Sequence, residues 1–482
     1  MKKPKLLIIV LFQNLRDADP YYARTPAPPL PGILLAGMTP PVVDVEVLHE
    51  MVRPVDYDTS ADFVALSFLD YLAPHAYDVA ARFRAMGKIV IGGGKFASTF
   101  PDEVQPHFDS ILVGEAQGVW PKMVHDLVAG TLQKRYTAEP TPSMENIPPP
   151  RYDLVESTFT VPIVTEASRG CPHPCTYCAL NINRQPYRMR PRRDVLRDLT
   201  STRNLPWYKR KMAMILDNNL GGDLKNAKSL LREVAKLGFW GVGTQFSIEC
   251  LRDDEFVDLL AAARCRMAFI GMESLNDASL KGVEKRQNKV EEYKEAFEKL
   301  HRRGILTFTG LMFALDEDTN EYYATLPERL DEVGNCVILP SISIPIYGTP
   351  WYREVFSEGR LTDNDLSHYE GDHVLFEHRN LTTNEIYSAY KRVNRIFYSW
   401  PNIVRRWWRF MRMQSLRESV WEFILKIVIT TFVYFKLSVF QRHHAQHRVF
   451  PALQSRKESV NITAMTGSFK LREVLQEQPL VE

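Results

Sequence analysis

Ser168-Arg169-Gly170-Cys171-Pro172-His173-Pro174-Cys175-Thr176-Tyr177-Cys178 decides how the rest of this 482-residue chain is read. Three of the six cysteines crowd into these eleven positions, while Cys250, Cys265 and Cys336 are scattered. That distribution is no disulfide framework, and clustered thiols in a chain without a secretory signal point to metal. The amino terminus, Met1-Lys2-Lys3-Pro4-Lys5 followed by Leu6–Leu11, has too short an apolar run for such a signal. A reducing, cytoplasmic setting follows. Thiolates bind iron well, and a four-iron cluster normally takes four of them. A tight loop with C-x3-C-x2-C spacing wraps three irons and leaves the fourth open to a small chelating ligand. A structural zinc site is the alternative reading. Zinc wants four protein ligands, often from paired C-x2-C knuckles. Here there is one C-x2-C, and His173 lies too close in sequence to its neighbours to join them easily on one ion.

Around this segment the chain repeats a strand–helix rhythm. Strands are expected at Pro162–Ala167, Met212–Asp217, Gly243–Ile248, Arg266–Gly271, Leu306–Ala314 and Cys336–Ser343. Helices are expected at Arg193–Arg203, Leu224–Leu237, Asp253–Ala263, Val290–Arg303 and Glu321–Val333. About six such units suit an open, partial barrel of the TIM type, with functional groups on loops at the strand carboxyl ends. The cysteines follow the first barrel strand at such a loop. Gln245, Ser247 and Glu249 alternate along the third strand and so share a face.

Upstream, Lys5–Leu11, Val42–Leu48, Phe63–Phe68, Lys88–Ile91 and Ser110–Val113 read as strands, with amphipathic stretches such as Ala73–Met86 between the later ones. Apolar strands alternating with helices imply a parallel, doubly wound sheet. Gly92-Gly93-Gly94 and Gly114-Glu115 follow its fourth and fifth strands, where such sheets bind ligands. Five prolines between Tyr136 and Arg151 mark a linker. The expected division is residues 1–135, a doubly wound domain; 136–157, linker; 158–350, barrel; and 351–482, a helical C-terminal extension. A net charge of +2 gives no push toward nucleic acid.

The cysteine motif, with an aromatic residue before its third cysteine and placed after a first barrel strand, resembles the radical S-adenosylmethionine (SAM) superfamily. The resemblance implies a [4Fe–4S] cluster on Cys171, Cys175 and Cys178. Its open iron binds SAM, and one electron cleaves SAM to methionine and a 5′-deoxyadenosyl radical. Tyr177 matches the family's residue near the adenine. Asp217-Asn218-Asn219, Gly271-Met272-Glu273-Ser274 and Pro345-Ile346-Tyr347-Gly348-Thr349-Pro350 are similar to further family segments, with Tyr347 in place of a proline. By this similarity Asp217, Gln245, Ser247 and Glu273 are candidates to contact SAM.

The amino-terminal half resembles the domain that precedes the barrel in cobalamin-dependent members. The matching pieces are Pro29–Ala36, Ile91–Gly94, Phe100-Pro101-Asp102-Glu103 and Gly114-Glu115-Ala116. Gly92, Gly93, Gly94, Gly114 and Glu115 are therefore candidates to approach cobalamin. The D-x-H-x-x-G motif that ligates cobalt is absent, and His75 is at the wrong spacing to replace it. Relatives of this domain order include hopanoid methylases and tetrapyrrole-modifying enzymes. They imply C-methylation of a hydrophobic lipid, isoprenoid or tetrapyrrole-like substrate, with flavodoxin or ferredoxin as electron donor. The alternatives are a radical cyclisation or rearrangement without methyl transfer, and a non-catalytic iron–sulfur or zinc scaffold.

Beyond residue 350 the pattern is irregular. Thr382–Tyr398 reads as a helix, followed by a basic aromatic segment with Arg405, Arg406, Trp407, Trp408, Arg409 and Arg412. Trp421–Phe440 is strongly apolar, with Glu422, Lys426 and Lys436 on one side at helical spacing. Its charge-free core, Ile427–Phe435, is too short to cross a bilayer. A peripheral membrane contact and a helix packed on the barrel are both open. The tail after about Ser455 is polar.

Overall fold

Short runs of Leu, Ile and Val with no polar interruption hide both faces of a strand, which requires helices on each side of a parallel sheet. In the computed structural model, which describes residues 3–12, 27–202, 204–414 and 419–447, this gives two such sheets. The first holds β1 (Lys5–Val10), β2 (Asp44–His49), β3 (Phe63–Ser67), β4 (Ile89–Gly93), β5 (Ser110–Val113) and β6 (Arg135–Thr137). Their order is β2-β1-β3-β4-β5-β6, all parallel. The order reverses beside β1, which places a ligand crevice at the strand carboxyl ends. The sixth strand takes in Tyr136, which the composition assigns to the linker. An edge strand of three residues needs no long apolar run.

The second sheet holds β7 (Ile163–Thr165), β10 (Met212–Ile215), β11 (Gly241–Gln245), β12 (Cys265–Glu273), β13 (Leu306–Phe313) and β14 (Val337–Ile342). They pair in that order, parallel throughout, as six strands of an open barrel. Between β7 and β10 lies a small antiparallel ribbon, β8 (Ser168–Arg169) with β9 (Arg188–Met189). It closes the base of the loop that carries the cysteines.

One expectation fails at β11. The strand ends at Gln245, and Ile248–Arg252 forms a short 3-10 helix. Ser247 N–H donates to Asn219 Oδ1 (3.0 Å) rather than continuing a ladder. Ser247 and Glu249 therefore do not alternate with Gln245 along a strand. The helices start close to where their caps predict. Asp223 accepts from Asn226 N–H (3.0 Å) to open Leu224–Val234, and Thr382 with Glu385 forms a capping box on Thr383–Phe397.

One continuous core links the sheets. It runs from Leu6, Ile8 and Ile33 through Trp120, Tyr152 and Ile163 to Ile270 and Phe313. A second core, with Leu7, Val64, Phe83 and Phe108, fills the far face of the first sheet. The basic aromatic segment is a helix, Trp400–Arg412, and the last helix spans Val420–His447. The polar tail after Ser455 lies outside the described residues.

At the amino-terminal end of the barrel His301 is buried between Thr307 Oγ1 (3.1 Å) and Cys336 Sγ (3.2 Å). Burial pulls its imidazole from 6.5 down to about 3. Between those values the unfolded chain binds a proton that the folded chain refuses. Stability therefore falls as pH drops through that window, by up to about 1.4 kcal/mol per pH unit. His301→Gln is expected to flatten the pH dependence of the urea midpoint between about pH 6 and pH 4; an unchanged slope rules this group out as its source.

Candidate functional site

The cysteine loop, 170–187, leaves β8 through Gly170, whose φ of +87° suits glycine. Inside it Asn181 Nδ2 donates to the carbonyls of Cys175 (2.8 Å) and His173 (3.3 Å). Thr176 N–H donates to Val283 O and Trp351 N–H to Thr176 O, each at 3.1 Å. The loop is thus pinned by the two segments that follow β12 and β14. Cys175 is buried, and Cys171 and Cys178 are half-buried.

Burial raises the Cys171 and Cys178 thiols, and negative charge on Cys175 raises both further. Amide donors lie against them: Asn219 Nδ2 is 3.9 Å from Cys171 Sγ, and Gln287 Nε2 is 3.7 Å from Cys175 Sγ. The thiols are near enough to repel one another as thiolates. Yet no three His, Cys, Asp or Glu side chains among the described residues close on a single ion. Three thiols on one pinned loop are the donor set that a four-iron cluster takes while one iron stays open. His173, the loop's one imidazole, is held by Glu249 at 2.7 Å.

Beside the loop lies a buried triad. Glu273 ends β12 with φ +63°, a left-handed conformation rare for a side chain of its size. The β12–β13 register shifts at the same point, and such a bulge re-aims a side chain. Its carboxylate accepts from Lys285 Nζ (2.9 Å) and Tyr177 O–H (3.0 Å). Burial alone lowers a lysine, but the charges of Glu273 and Cys175 together with the Glu273 hydrogen bond outweigh it and raise Lys285 above its ordinary value. Burial and then Glu273 push the Tyr177 hydroxyl well up, so it stays neutral. A Cβ on Gly271 collides with the Glu273 carboxylate, and one on Gly310 comes within 3.1 Å of it. Both glycines make room for that carboxylate. Lys285 is absent from the sequence reading, because Glu284-Lys285-Arg286 looks there like a solvated charge run.

The other expected residues divide. Gln245 Nε2 donates to Asn218 O (3.2 Å), so Gln245 and Ser247 sit by the 217–219 turn at the barrel mouth. Asp217 turns inward. Its Oδ1 accepts from Ala167 N–H (2.6 Å) and Ser168 N–H (3.0 Å), and its Oδ2 from Ser168 O–H (3.0 Å). Burial raises this carboxyl to about 7. Glu115 is occupied too. It accepts from Arg169 Nη1 (2.6 Å), from Gln117 Nε2 (2.6 Å) and from Arg188. Burial works against its charge, and the arginines hold its pKa below the usual carboxylate range all the same. Gly92 packs on Phe108 and Gly94, at φ +106°, lies under Phe68 O, so both serve packing within the sheet. Gly114 lies against Ala138, whereas a Cβ on Gly93 would meet nothing nearer than Leu112 Cβ at 4.0 Å.

These contacts set the two sheets edge to edge. Glu115 follows β5 and grips arginines on both sides of the cysteine loop. Lys95 follows β4 and feels the charge of Cys178. Phe100 packs on Tyr347 with ring centroids 4.4 Å apart. The carboxyl edge of the first sheet therefore faces the cysteine loop at the carboxyl edge of the second.

Residues 165–329 match the family described as the radical SAM superfamily. The bacteriochlorophyllide d C-12(1)-methyltransferase of Chlorobaculum tepidum is 26% identical over 392 residues, 78% of this chain and 84% of that protein. The C-8(2)-methyltransferase of the same organism is 26% identical over 453 residues, 88% of this chain and 95% of that protein. Among solved structures, the cobalamin-dependent S-adenosylmethionine radical enzyme OxsB, with aqua-cobalamin and S-adenosylmethionine bound, superposes with a TM-score of 0.61. The superposition covers 92% of this chain and 76% of that one at 14% identity, a likeness of fold.

Asp217→Ala leaves two buried N–H groups and a hydroxyl at the root of the cysteine loop without their acceptor. It is expected to lower unfolding stability by about 2–4 kcal/mol, read from the denaturant midpoint, with Asp217→Asn losing about half as much.

Proposed function

We propose that this chain, a radical SAM enzyme that uses a [4Fe–4S] cluster and SAM, is a cobalamin-dependent C-methyltransferase acting on a hydrophobic substrate. One observation carries the reading. The ligand-binding edge of the first sheet faces the cysteine loop, so cofactors held on the two edges address one space between them. When bound, the cluster supplies the electron that cleaves SAM to methionine and a 5′-deoxyadenosyl radical, and cobalamin carries the methyl group.

The protein's own part is to hold, orient and keep dry. Cys171, Cys175 and Cys178 hold the cluster, and the amides of Asn219 and Gln287 donate toward two of their sulfurs. Glu273 accepts from the ammonium of SAM, with Lys285 and Tyr177 fixing its carboxylate. Gln245 and Ser247 line the same mouth. Asp217 is a positioning residue, because it acts on the cluster through Ala167 and Ser168. Gly93, where an added Cβ would meet nothing nearer than Leu112 Cβ at 4.0 Å, is where the first sheet lets a large flat cofactor approach. Gly92, Gly94 and Gly114 support that edge from within, and Glu115 locks it to the cysteine loop. Among described residues His75 bonds Glu50 (2.7 Å), so it is engaged within the protein.

Methylated tetrapyrroles and hopanoids are large and apolar, and this reading takes a substrate of that kind. A one-electron donor such as flavodoxin or ferredoxin serves the cluster. Contact with the cytoplasmic face of a membrane through the last helix belongs to the same reading.

The expected outcomes are direct. After anaerobic reconstitution the chain holds about four irons, and alanine at Cys171, Cys175 or Cys178 reduces both iron and dithionite-driven 5′-deoxyadenosine to background. Glu273→Gln weakens SAM binding by roughly ten- to a hundredfold in equilibrium dialysis, the worth of one charge-assisted hydrogen bond, with iron content unchanged. Reconstitution with hydroxocobalamin retains one corrinoid per chain. Its absence from protein that still cleaves SAM excludes methyl transfer by this route.

A further inference from the structure

The last helix buries several polar side chains and exposes several apolar ones. Its residues facing the protein are Lys426 (4% exposed), Thr430 (1%), Ser438 (0%) and Gln441 (2%), with Tyr434 among them. Its outward residues are Trp421 (72%), Ile424 (47%), Val428 (58%) and Phe432 (61%). A helix packed on a soluble protein turns these two sets the other way. The neighbouring helix, Trp400–Arg412, presents Trp400, Val404 and Trp408 outward at four-residue spacing, each about half exposed. The seam between the helices is Trp407, which packs at a tilt on Phe435 (5.8 Å) and donates to Thr431 Oγ1 (3.2 Å). The two apolar stripes thus flank one seam, and a patch of this size marks a docking surface.

Charge says what docks there. The shorter helix carries no acid; of its arginines Arg406 is buried and Arg405 and Arg409 reach Asp331, which leaves Arg412 beside the exposed stripe. The longer one carries Lys436 and Arg442 beside its exposed stripe, while Lys426 is turned to the protein and its one acid, Glu422, is turned onto Arg264. Arg412 lies over the Trp408 ring (5.2 Å), Arg442 over Trp400 (5.5 Å) and Lys436 over Phe432 (6.0 Å). Cations held at the level of exposed aromatic rings suit a plane where hydrocarbon meets phosphate. A second copy of the chain would instead bring like charges together across the interface.

The helix is long and apolar enough to cross a bilayer by length and composition. It is, however, tied to the protein along its course. Glu422 pairs with Arg264, Tyr434 O–H donates to Ile403 O (2.8 Å), and Arg442 Nη1 donates to Tyr398 O (2.7 Å). These ties span about 30 Å of helix, so it lies along the molecule and cannot insert alone. They also fix the orientation. Arg264 precedes β12, and Gln414 Nε2 donates to His301 O (2.9 Å) just before β13. The face therefore lies at the amino-terminal end of the barrel, opposite the cysteine loop.

We propose that this face seats on an anionic bilayer surface, its helices in the plane of the headgroups and the cysteine loop directed away from the lipid. The proposal rests on the membrane contact read above and adds its face and orientation. The surface tethers the enzyme and does not feed the site. It is tested with the full, reconstituted chain and sedimented vesicles of phosphatidylethanolamine with phosphatidylglycerol, or of phosphatidylcholine alone. The chain is expected to sediment with the first and only weakly with the second. Val428→Asp with Phe432→Asp, both exposed in the fold, lowers binding by about tenfold or more. Arg412→Gln with Lys436→Gln does so for the anionic vesicles. Iron content and 5′-deoxyadenosine formation stay unchanged in both variants. Failure of the unaltered chain to bind either vesicle overturns the contact itself. Binding that survives Val428→Asp with Phe432→Asp overturns this face and leaves the contact standing. A dimer in light scattering that those substitutions dissolve overturns the lipid as occupant, and loss of SAM cleavage overturns the separation of face and site.

Discussion

The ion network around Glu115 is the constraint on which the rest of the arrangement depends. This single carboxylate, after the last long strand of the first sheet, reaches Arg169 and Arg188, the two residues that open and close the cysteine loop. Arg169 also pairs with Glu166 (2.5 Å), so the positive charges are matched on both sides. These groups are more than four-fifths shielded from water, where an unmatched charge is expensive. Once matched they fix the loop to the neighbouring sheet by direction as well as by charge, because arginine offers donors in a rigid plane. Three thiols on a free loop repel and drift apart; on this loop they are held before any metal arrives.

The barrel mouth solves a second problem by different means. A carboxylate set back into the barrel mouth needs partners close by. Glu273 finds them in Lys285 and Tyr177, and it reaches that position through a left-handed backbone and a shifted register. The neighbouring glycines at 271 and 310 are what let it fit. Strain, space and charge are thus concentrated in one place, as is usual where a ligand binds. The far end of the barrel has the opposite character. There His301 is kept neutral by burial, and the two closing helices turn their apolar stripes outward.

Much of this was legible in the residues. The eleven expected strands all form, since each is a short apolar run bounded by polar or glycine-rich turns. The placement of the cysteine loop and of Glu273 at the ends of barrel strands was legible because short apolar runs set where those strands stop. What misled was local pattern that the tertiary structure overrode. Ser247 and Glu249 keep an alternating rhythm, but Asn219 captures the backbone and ends the strand at Gln245. Asp217 and Glu115 stand at strand ends where ligands bind, yet both are spent on holding the cysteine loop.

By itself the sequence determined two parallel sheets and their order along the chain, because periodicity is a property of neighbours. Only the tertiary structure decided that Lys285 guards Glu273, that Glu115 joins the sheets and that the last helix faces outward. Those facts depend on which distant groups meet. The same apolar helix can bury either side, and only the groups packed against it choose.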